Sequence, residues 1–263
     1  MLPTARDTQV QMRRPAAIFR RRAHLSNERA RSDEALATRD EFMGIVSHDL
    51  RNMLNAMVGF AALIEKEVSQ DNHAQVLVNA QRIQRSAARM HRLIGDLVDV
   101  ASIEAGMLTV MPEIGNPAPI VAEAVETFQV QASARGVSLA AEIVEPSSLA
   151  AFDSARILQV LANLLSNAIK FTPANGHVGV RVERVGDELR FAVSDTGAGI
   201  PADQLEAVFV RFRQITKNDR RGVGLGLYIS KAIVQGHGGR IWAESRIDEG
   251  STFYFTVPIH LAP

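Results

Sequence analysis

The hexapeptide Ser47-His48-Asp49-Leu50-Arg51-Asn52 holds the first arrangement able to do chemistry. An imidazole with a carboxylate beside it is a candidate nucleophile, because the neighbouring acceptor settles which ring nitrogen keeps its proton. Four stretches in the second half add groups suited to a nucleotide. Asn163, Asn167 and Lys170 recur at i, i+4 and i+7 within 163–171, one helical face carrying two amide oxygens and an ammonium. That set suits a hard cation and phosphate oxygens. Asp195-Thr196-Gly197-Ala198-Gly199-Ile200 follows an apolar run. Its carboxylate can accept an exocyclic amine such as that of adenine, and Gly197 and Gly199 let backbone approach a flat ligand. Gly222-Val223-Gly224-Leu225-Gly226-Leu227 opens a helical pattern, where backbone N–H groups cradle phosphates. It is not a Walker A loop, since no Gly-Lys-Ser/Thr follows, and its glycine spacing is not the dinucleotide fingerprint. Phe209, Phe212, Arg213, Lys217, Arg220 and Arg221 lie between the glycine-rich pieces, with the length and charge of a lid whose cations meet phosphates. Last, Gly250-Ser251-Thr252-Phe253 leads into the final strand pattern.

The elements that must position these groups are readable from periodicity. Residues 40–64 form one predicted helix, with Phe42, Val46, Leu50, Met53, Met57, Phe60 and Ile64 spaced by three and four. At ~100° per residue, His48 falls roughly 200° from the mean of that stripe, so its ring faces water. Asn52 and Asn55 share its face. After the turn-rich Ser69-Gln70-Asp71-Asn72, a second helix is expected over 74–105. Its Ile83, Ala87, Met90, Ile94, Leu97 and Ala101 make a heptad-like seam, and Gly106 stops it. A lone hairpin cannot cover both stripes, whereas two hairpins from two chains form a four-helix bundle, so a homodimer is inferred. Beyond Pro112 the pattern mixes helices (119–135, 152–171 with Asp153 as N-cap, 201–209, 225–235) with strands (137–144, 178–185, 188–194, 240–245, 251–259). The expected fold class is multidomain: an all-α antiparallel hairpin in a dimeric bundle, then an α+β two-layer sandwich with a mixed sheet and helices on one face.

Composition narrows the rest. The chain has 263 residues and zero formal net charge, which gives no support to a nucleic-acid partner. It has no Cys, hence no disulfides or thiolate metal site, and a cytoplasmic setting fits. No apolar run approaches the ~18 residues of a membrane span. Residues 1–37 are Arg-rich; the Arg20–Arg22 cluster suits anionic lipid, a partner, or plain solvent.

Taken in order, these motifs resemble the sensor histidine kinases of two-component systems, over about residues 38–260. The resemblance implies a dimerisation and phosphotransfer domain at 38–109 and a catalytic ATP-binding domain at 110–263, after a basic, partly helical 1–37. It implies the ATP-binding sandwich shared with gyrase, Hsp90 and MutL. His48 stands as phosphoacceptor, Asp49 as its acid/base partner, and Asn52 where the family orients water to dephosphorylate its partner. The cofactor set the resemblance implies is ATP with Mg²⁺, the metal on Asn167 and Asn163. Lys170, Arg213 and the glycines Gly222, Gly224 and Gly226 meet phosphates, while Asp195, Gly197, Gly199 and Thr252 surround adenine. The partner implied is a response-regulator receiver domain. Two alternatives stay open: a degenerate phosphotransfer scaffold without ATP turnover, and a gyrase- or Hsp90-like hydrolytic ATPase. One departure is Met53, where the family has Pro; a helix without Pro there is expected to run straighter.

Overall fold

The structure is a computed structural model that describes residues 44, 46–68, 72–144, 148–212 and 224–260. Phe42 and the Arg-rich 1–37 lie outside the described residues. The chain forms two compact units that divide between Ala87 and Ala88.

In the first unit, helix α1 runs over 46–68 without a break at Met53. Its stripe faces inward: Val46 is 3% exposed, and Leu50, Met53, Met57, Phe60 and Ile64 are half-buried. Asn72 makes the turn to helix α2 (His73–Glu104), donating to the Glu67 carboxylate and accepting from the Gln75 amide. Across the helical hairpin the Arg82 guanidinium lies 5.4 Å from the Phe60 ring centroid. Both helices keep bulky apolar groups on the surface of the single chain, among them Leu54, Val58, Leu63 and Leu77.

The second unit begins in the last turns of α2. Of the expected α2 seam, Met90 and Leu97 are half-buried there while Ile94 is 47% exposed; Leu93 and Val100 are the buried groups. Asp99 is buried among partners, its two oxygens accepting from Arg156 (2.8 Å) and Gln159 (2.7 Å). At the helix end, Gly106 sits at φ +67° and donates to Ile103, while Met107 donates to Ser102. This pair of bonds satisfies carbonyls the helix leaves orphaned, and Gly takes the left-handed conformation at the least steric cost.

The α/β part follows as β1 (Glu113–Gly115), α3 (Pro117–Ser133), β2 (Ser138–Ile143), β3 (Ala150–Phe152), α4 (Ser154–Phe171), β4 (His177–Val185), β5 (Glu188–Asp195), α5 (Gly226–Gly236), β6 (Ile241–Arg246) and β7 (Gly250–Pro258). Five strands form a mixed sheet in the order β2-β4-β5-β7-β6, parallel only at β2-β4. Alternation puts Val178, Val180, Val182, Leu189, Phe191, Val193, Phe253, Phe255 and Val257 on one face, against α4 and its neighbours; Phe191 and Phe255 stack at 4.5 Å. Helix α4 buries Ile157, Val160, Leu161, Leu164, Leu165 and Ile169 against this sheet. Each Leu→Ala change there would cost about 2–5 kcal/mol.

Three details differ from the sequence expectation. Phe152, expected to open the helix, instead belongs to a strand over 150–152 that pairs with β1 in a small second sheet. The helix expected over 201–209 is two short 3-10 turns, 202–204 and 207–209. Phe209 is a core residue, edge-on to Phe253 at 6.2 Å, so it belongs to no lid.

Burial pushes the Asp96 carboxyl up to about 6 from 3.8; the nearby Asp99 carboxylate adds to this and Arg92 opposes it. The native state therefore keeps a proton that the unfolded chain has lost, and stability falls as pH rises from about 4 to 6. Two pH units correspond to about 3 kcal/mol, and partial contact with water reduces this to about 1–2 kcal/mol. Asp96→Asn is expected to raise urea-unfolding stability by that amount at pH 8 and to lose its advantage near pH 4. A variant no more stable than the parent at pH 8 would refute this.

Candidate active site

Helix α1 presents the His48 side chain 70% exposed, as its position off the apolar stripe requires. Asp49 Oδ1 lies 3.5 Å from Nδ1. One turn on, Asn52 Nδ2 lies 3.1 Å from Nδ1 and 3.3 Å from Nε2. A carboxylate beside the imidazole favours a ring that keeps one proton and leaves its other nitrogen with the lone pair, the form a nucleophile needs.

In the second unit, α4 gathers the remaining motifs. Its apolar face is buried and its other face presents Asn163, Asn167 and Lys170, each half-buried. Lys170 Nζ sits 4.6 Å over the Phe171 ring. The turn after β5 comes down on the end of α4. A Cβ on Gly197 would lie 2.6 Å from the Phe171 carbonyl oxygen and 2.7 Å from Asp195 Oδ1, so only Gly fits. Asp195 is 9% exposed, and its Oδ1 accepts from the Gly197 amide at 2.8 Å. Burial raises its pKa, and backbone hydrogen bonds from Gly197 and Ser251 pull it back. A dry acceptor with oriented lone pairs discriminates strongly between ligands that can donate to it and ligands that cannot.

The second glycine stretch meets α4 from another side. Asn163 Nδ2 donates to the Gly226 carbonyl at 3.1 Å and lies 3.3 Å from the Ser230 hydroxyl. A Cβ on Gly226 would come within 3.2 Å of the Asn163 amide. Gly224 is at φ +74° and accepts from the Phe212 amide, which brings the two ends of the intervening segment together. Arg211 forms an ion pair with Glu104. Arg213, Lys217, Arg220, Arg221, Gly222 and Val223 lie outside the described residues.

The last motif is placed by strand pairing, and here the sequence-based assignment needs correction. Asp195 pairs with Ser251, and Ser194 with Thr252. Since successive side chains alternate faces, Ser251 shares the buried face with Asp195 and Thr252 lies on the opposite, outer face beside Ser194 and Glu244. Thr252 is thus not brought to the carboxylate; Ser251 is. A Cβ on Gly250 would meet the Asp195 carbonyl at 1.9 Å, and one on Gly199 the Arg246 carbonyl at 2.0 Å. Sequence reasoning missed Ser251 and Ser245. Counting back two residues from the buried Phe253 would have found the first, because inward positions recur every second residue.

These groups fit a purine nucleotide. A buried carboxylate sits beside a glycine whose missing Cβ lets the turn close against the Phe171 carbonyl, and two amides, an ammonium and a helix start stand ready for phosphates and a hard cation. Among the described residues no cluster of three or more His, Asp or Glu side chains could hold a metal. A cation here would lean on amide and phosphate oxygens.

Comparison with known proteins agrees. Residues 38–106 match the His Kinase A (phospho-acceptor) domain, and 152–261 match the histidine kinase-, DNA gyrase B-, and HSP90-like ATPase family. The circadian input-output histidine kinase CikA of Synechococcus elongatus is 32% identical over 92% of this chain and 33% of its own length. The histidine protein kinase DivJ of Caulobacter vibrioides is 33% identical over 95% of this chain and 42% of its own. The chain therefore spans less than half the length of these relatives. Among solved structures, histidine kinase ThkA in complex with the response regulator protein TrrA matches with a TM-score of 0.60 at 25% identity, over 86% of this chain and 64% of ThkA. With both domain types in order, an outward histidine on the first and a glycine-lined carboxylate on the second, the chain belongs to the sensor histidine kinases.

Proposed function

We propose that the chain is an ATP-dependent histidine autokinase that phosphorylates His48 and passes the phosphoryl group to an aspartate on a response-regulator receiver domain. The observation that carries this reading is the exposed His48 imidazole with Asp49 on its Nδ1 side, in a chain that also holds the buried Asp195 and its glycine turns. The Nε2 lone pair attacks the γ-phosphorus of ATP in line. The N–P bond forms as the bond to the β-phosphate oxygen breaks, ADP leaves, and the Nδ1 proton passes toward Asp49. Asp195 accepts the adenine amine, Gly197 and Gly199 let the turn that carries it pack against the Phe171 and Arg246 carbonyls, and Lys170 with the start of α5 neutralises phosphate charge. Bound Mg²⁺ would supply charge neutralisation between phosphate oxygens. Asn167 is better placed to hold it than Asn163, whose amide nitrogen already binds Gly226 and Ser230.

We further propose that the chain works as a homodimer with functional domains at 38–109 and 110–263. The exposed Leu54, Val58, Ile94 and Val98 on the two helices support a second hairpin covering them, as does the phospho-acceptor family match. Asn52, already against the imidazole, is suited to orient water for dephosphorylation of the partner. ThkA was solved with a response regulator, which supports that class of partner. No helix among the described residues is long and apolar enough to cross a membrane. ATP and a receiver domain as reactants place the activity in the cytoplasm.

Incubation with γ-labelled ATP should give an acid-labile, alkali-stable phosphoprotein, and His48→Ala should abolish it while nucleotide binding persists. Label retained by His48→Ala would contradict the assignment. Gly197→Ala should weaken ATP binding by at least about tenfold, because its methyl collides with a carbonyl and with the Asp195 oxygen. Unchanged binding by titration calorimetry would remove the turn from the site.

A further inference from the structure

Ser245 belongs to none of the motifs singled out above, yet its hydroxyl sits where three segments of the nucleotide side meet. Its Oγ lies 2.7 Å from the Gly250 carbonyl oxygen, 2.8 Å from the Ile200 amide nitrogen and 3.0 Å from the Ser251 Oγ. A hydroxyl has one proton to give and two lone pairs. The carbonyl of Gly250 can only accept and the amide of Ile200 can only donate. Ser245 therefore gives its proton to Gly250 and receives from Ile200 and, by elimination, from the Ser251 hydroxyl. All its hydrogen-bonding capacity is used within the fold.

What it joins matters. Ser245 pairs with Ser251 across β6-β7, and Ser251 pairs with Asp195 across β7-β5. A hydroxyl, a hydroxyl and a carboxylate thus stand in one row on the buried side of the sheet, at the distance of directly opposed residues. Asp195 bridges the same two segments: it accepts from Gly197 in the turn and is hydrogen-bonded by the Ser251 backbone in the strand. Ser245 holds the far end of that turn, at Ile200, and the start of that strand, at Gly250. Between these two bridges the turn lies backbone against backbone on the β6-β7 hairpin, with Gly199 under the Arg246 carbonyl and the Asp248 amide donating to Ala198. No side chain there can take up slack, so the hydrogen bonds set the angle.

We infer that Ser245 is a positioning residue for adenine recognition: its hydroxyl fixes the Asp195–Ile200 turn against Gly250–Ser251 and so aims the Asp195 carboxylate at the exocyclic amine of the base. This inference rests on the nucleotide reading of Asp195 and extends it. Removing the hydroxyl leaves Ile200 N–H and Gly250 C=O to water and frees the turn to shift against the strand. The loss falls on the contact with the base amine and spares the phosphate end of the site.

The test uses the 263-residue chain with ATP and with purine riboside triphosphate, which lacks the 6-amino group. The parent protein should prefer ATP by about ten- to a hundredfold, the worth of a hydrogen bond to a buried carboxylate. In Ser245→Ala the affinity for ATP should drop about five- to tenfold while that for the analogue changes less than about twofold, so the preference shrinks. The rate of His48 phosphorylation at saturating ATP should stay within about twofold, and Ser245→Thr, which keeps the hydroxyl, should restore the preference. A general loss of stability would instead weaken both nucleotides in parallel. Should Ser245→Ala not fold, Ser245→Cys carries the same readout, since a thiol fills the space but bonds weakly. A parent that does not distinguish the two nucleotides overturns the reading of Asp195 and this inference with it. A parent that distinguishes them, with a variant that keeps the full preference, overturns the inference about Ser245 alone.

Discussion

The nucleotide side of this molecule is organised by how closely backbone can approach helix α4. Gly197 lies against the Phe171 carbonyl at the end of the helix, at a separation that leaves no room for a side chain, and Gly226 lies against Asn163 in its middle, where a Cβ would be tight. Helix α4 can serve as this fixed surface because six large apolar residues anchor its other face in the core. Were it free to rotate, the Asn163–Gly226 bond and the Gly197 contact could not both be kept. The row Asn163, Asn167 and Lys170 thus owes its position to residues on the opposite side of the same helix. Sequence periodicity, core packing and site geometry are here one constraint seen at three scales.

The two reactive groups sit in opposite environments, and each suits its task. Asp195 is almost dry, so a ligand that fails to donate to it leaves a buried carboxylate unpaired, which is costly. His48 stands in water on an exposed helix face, open to approach from solvent. Selectivity is placed where water is excluded and transfer where access is open.

Much of this was legible in the sequence, for identifiable reasons. The stripe from Val46 to Ile64 located the outward face of His48, since helical period alone fixes that angle. Glycines at 197, 199, 224 and 226 marked close approaches and turns, since Cβ sterics are local. Asp153 was readable as an N-cap, and it does accept from the Arg156 amide. The hairpins at 186–187 and 248–250 were readable, but pairing between strands far apart in sequence was not. The short β1-β3 ladder involves residues 35 or more positions apart, with too few alternations to show a period. The face of Thr252 against Ser251 depended on a register of one residue, which reverses every side chain. Ser245 was invisible because its importance lies in what its hydroxyl joins, and the joined groups are backbone atoms carrying no sequence signature.

The two amides of α4 show how structure divides roles that spacing leaves equal. At i and i+4, Asn163 and Asn167 share one face, and nothing in their spacing ranks them. Asn163 donates to Gly226 and lies against Ser230, which commits its nitrogen and fixes the amide plane, leaving the oxygen as its remaining capacity. Asn167 makes no side-chain hydrogen bond among the described residues, so its oxygen and nitrogen are both available to cation and phosphate. Moving Asn163 would carry the start of α5 with it, because the same bond that orients the amide holds Gly226. The first asparagine therefore behaves as part of the frame that sets the glycine turn, and the second as the group that meets what the frame encloses.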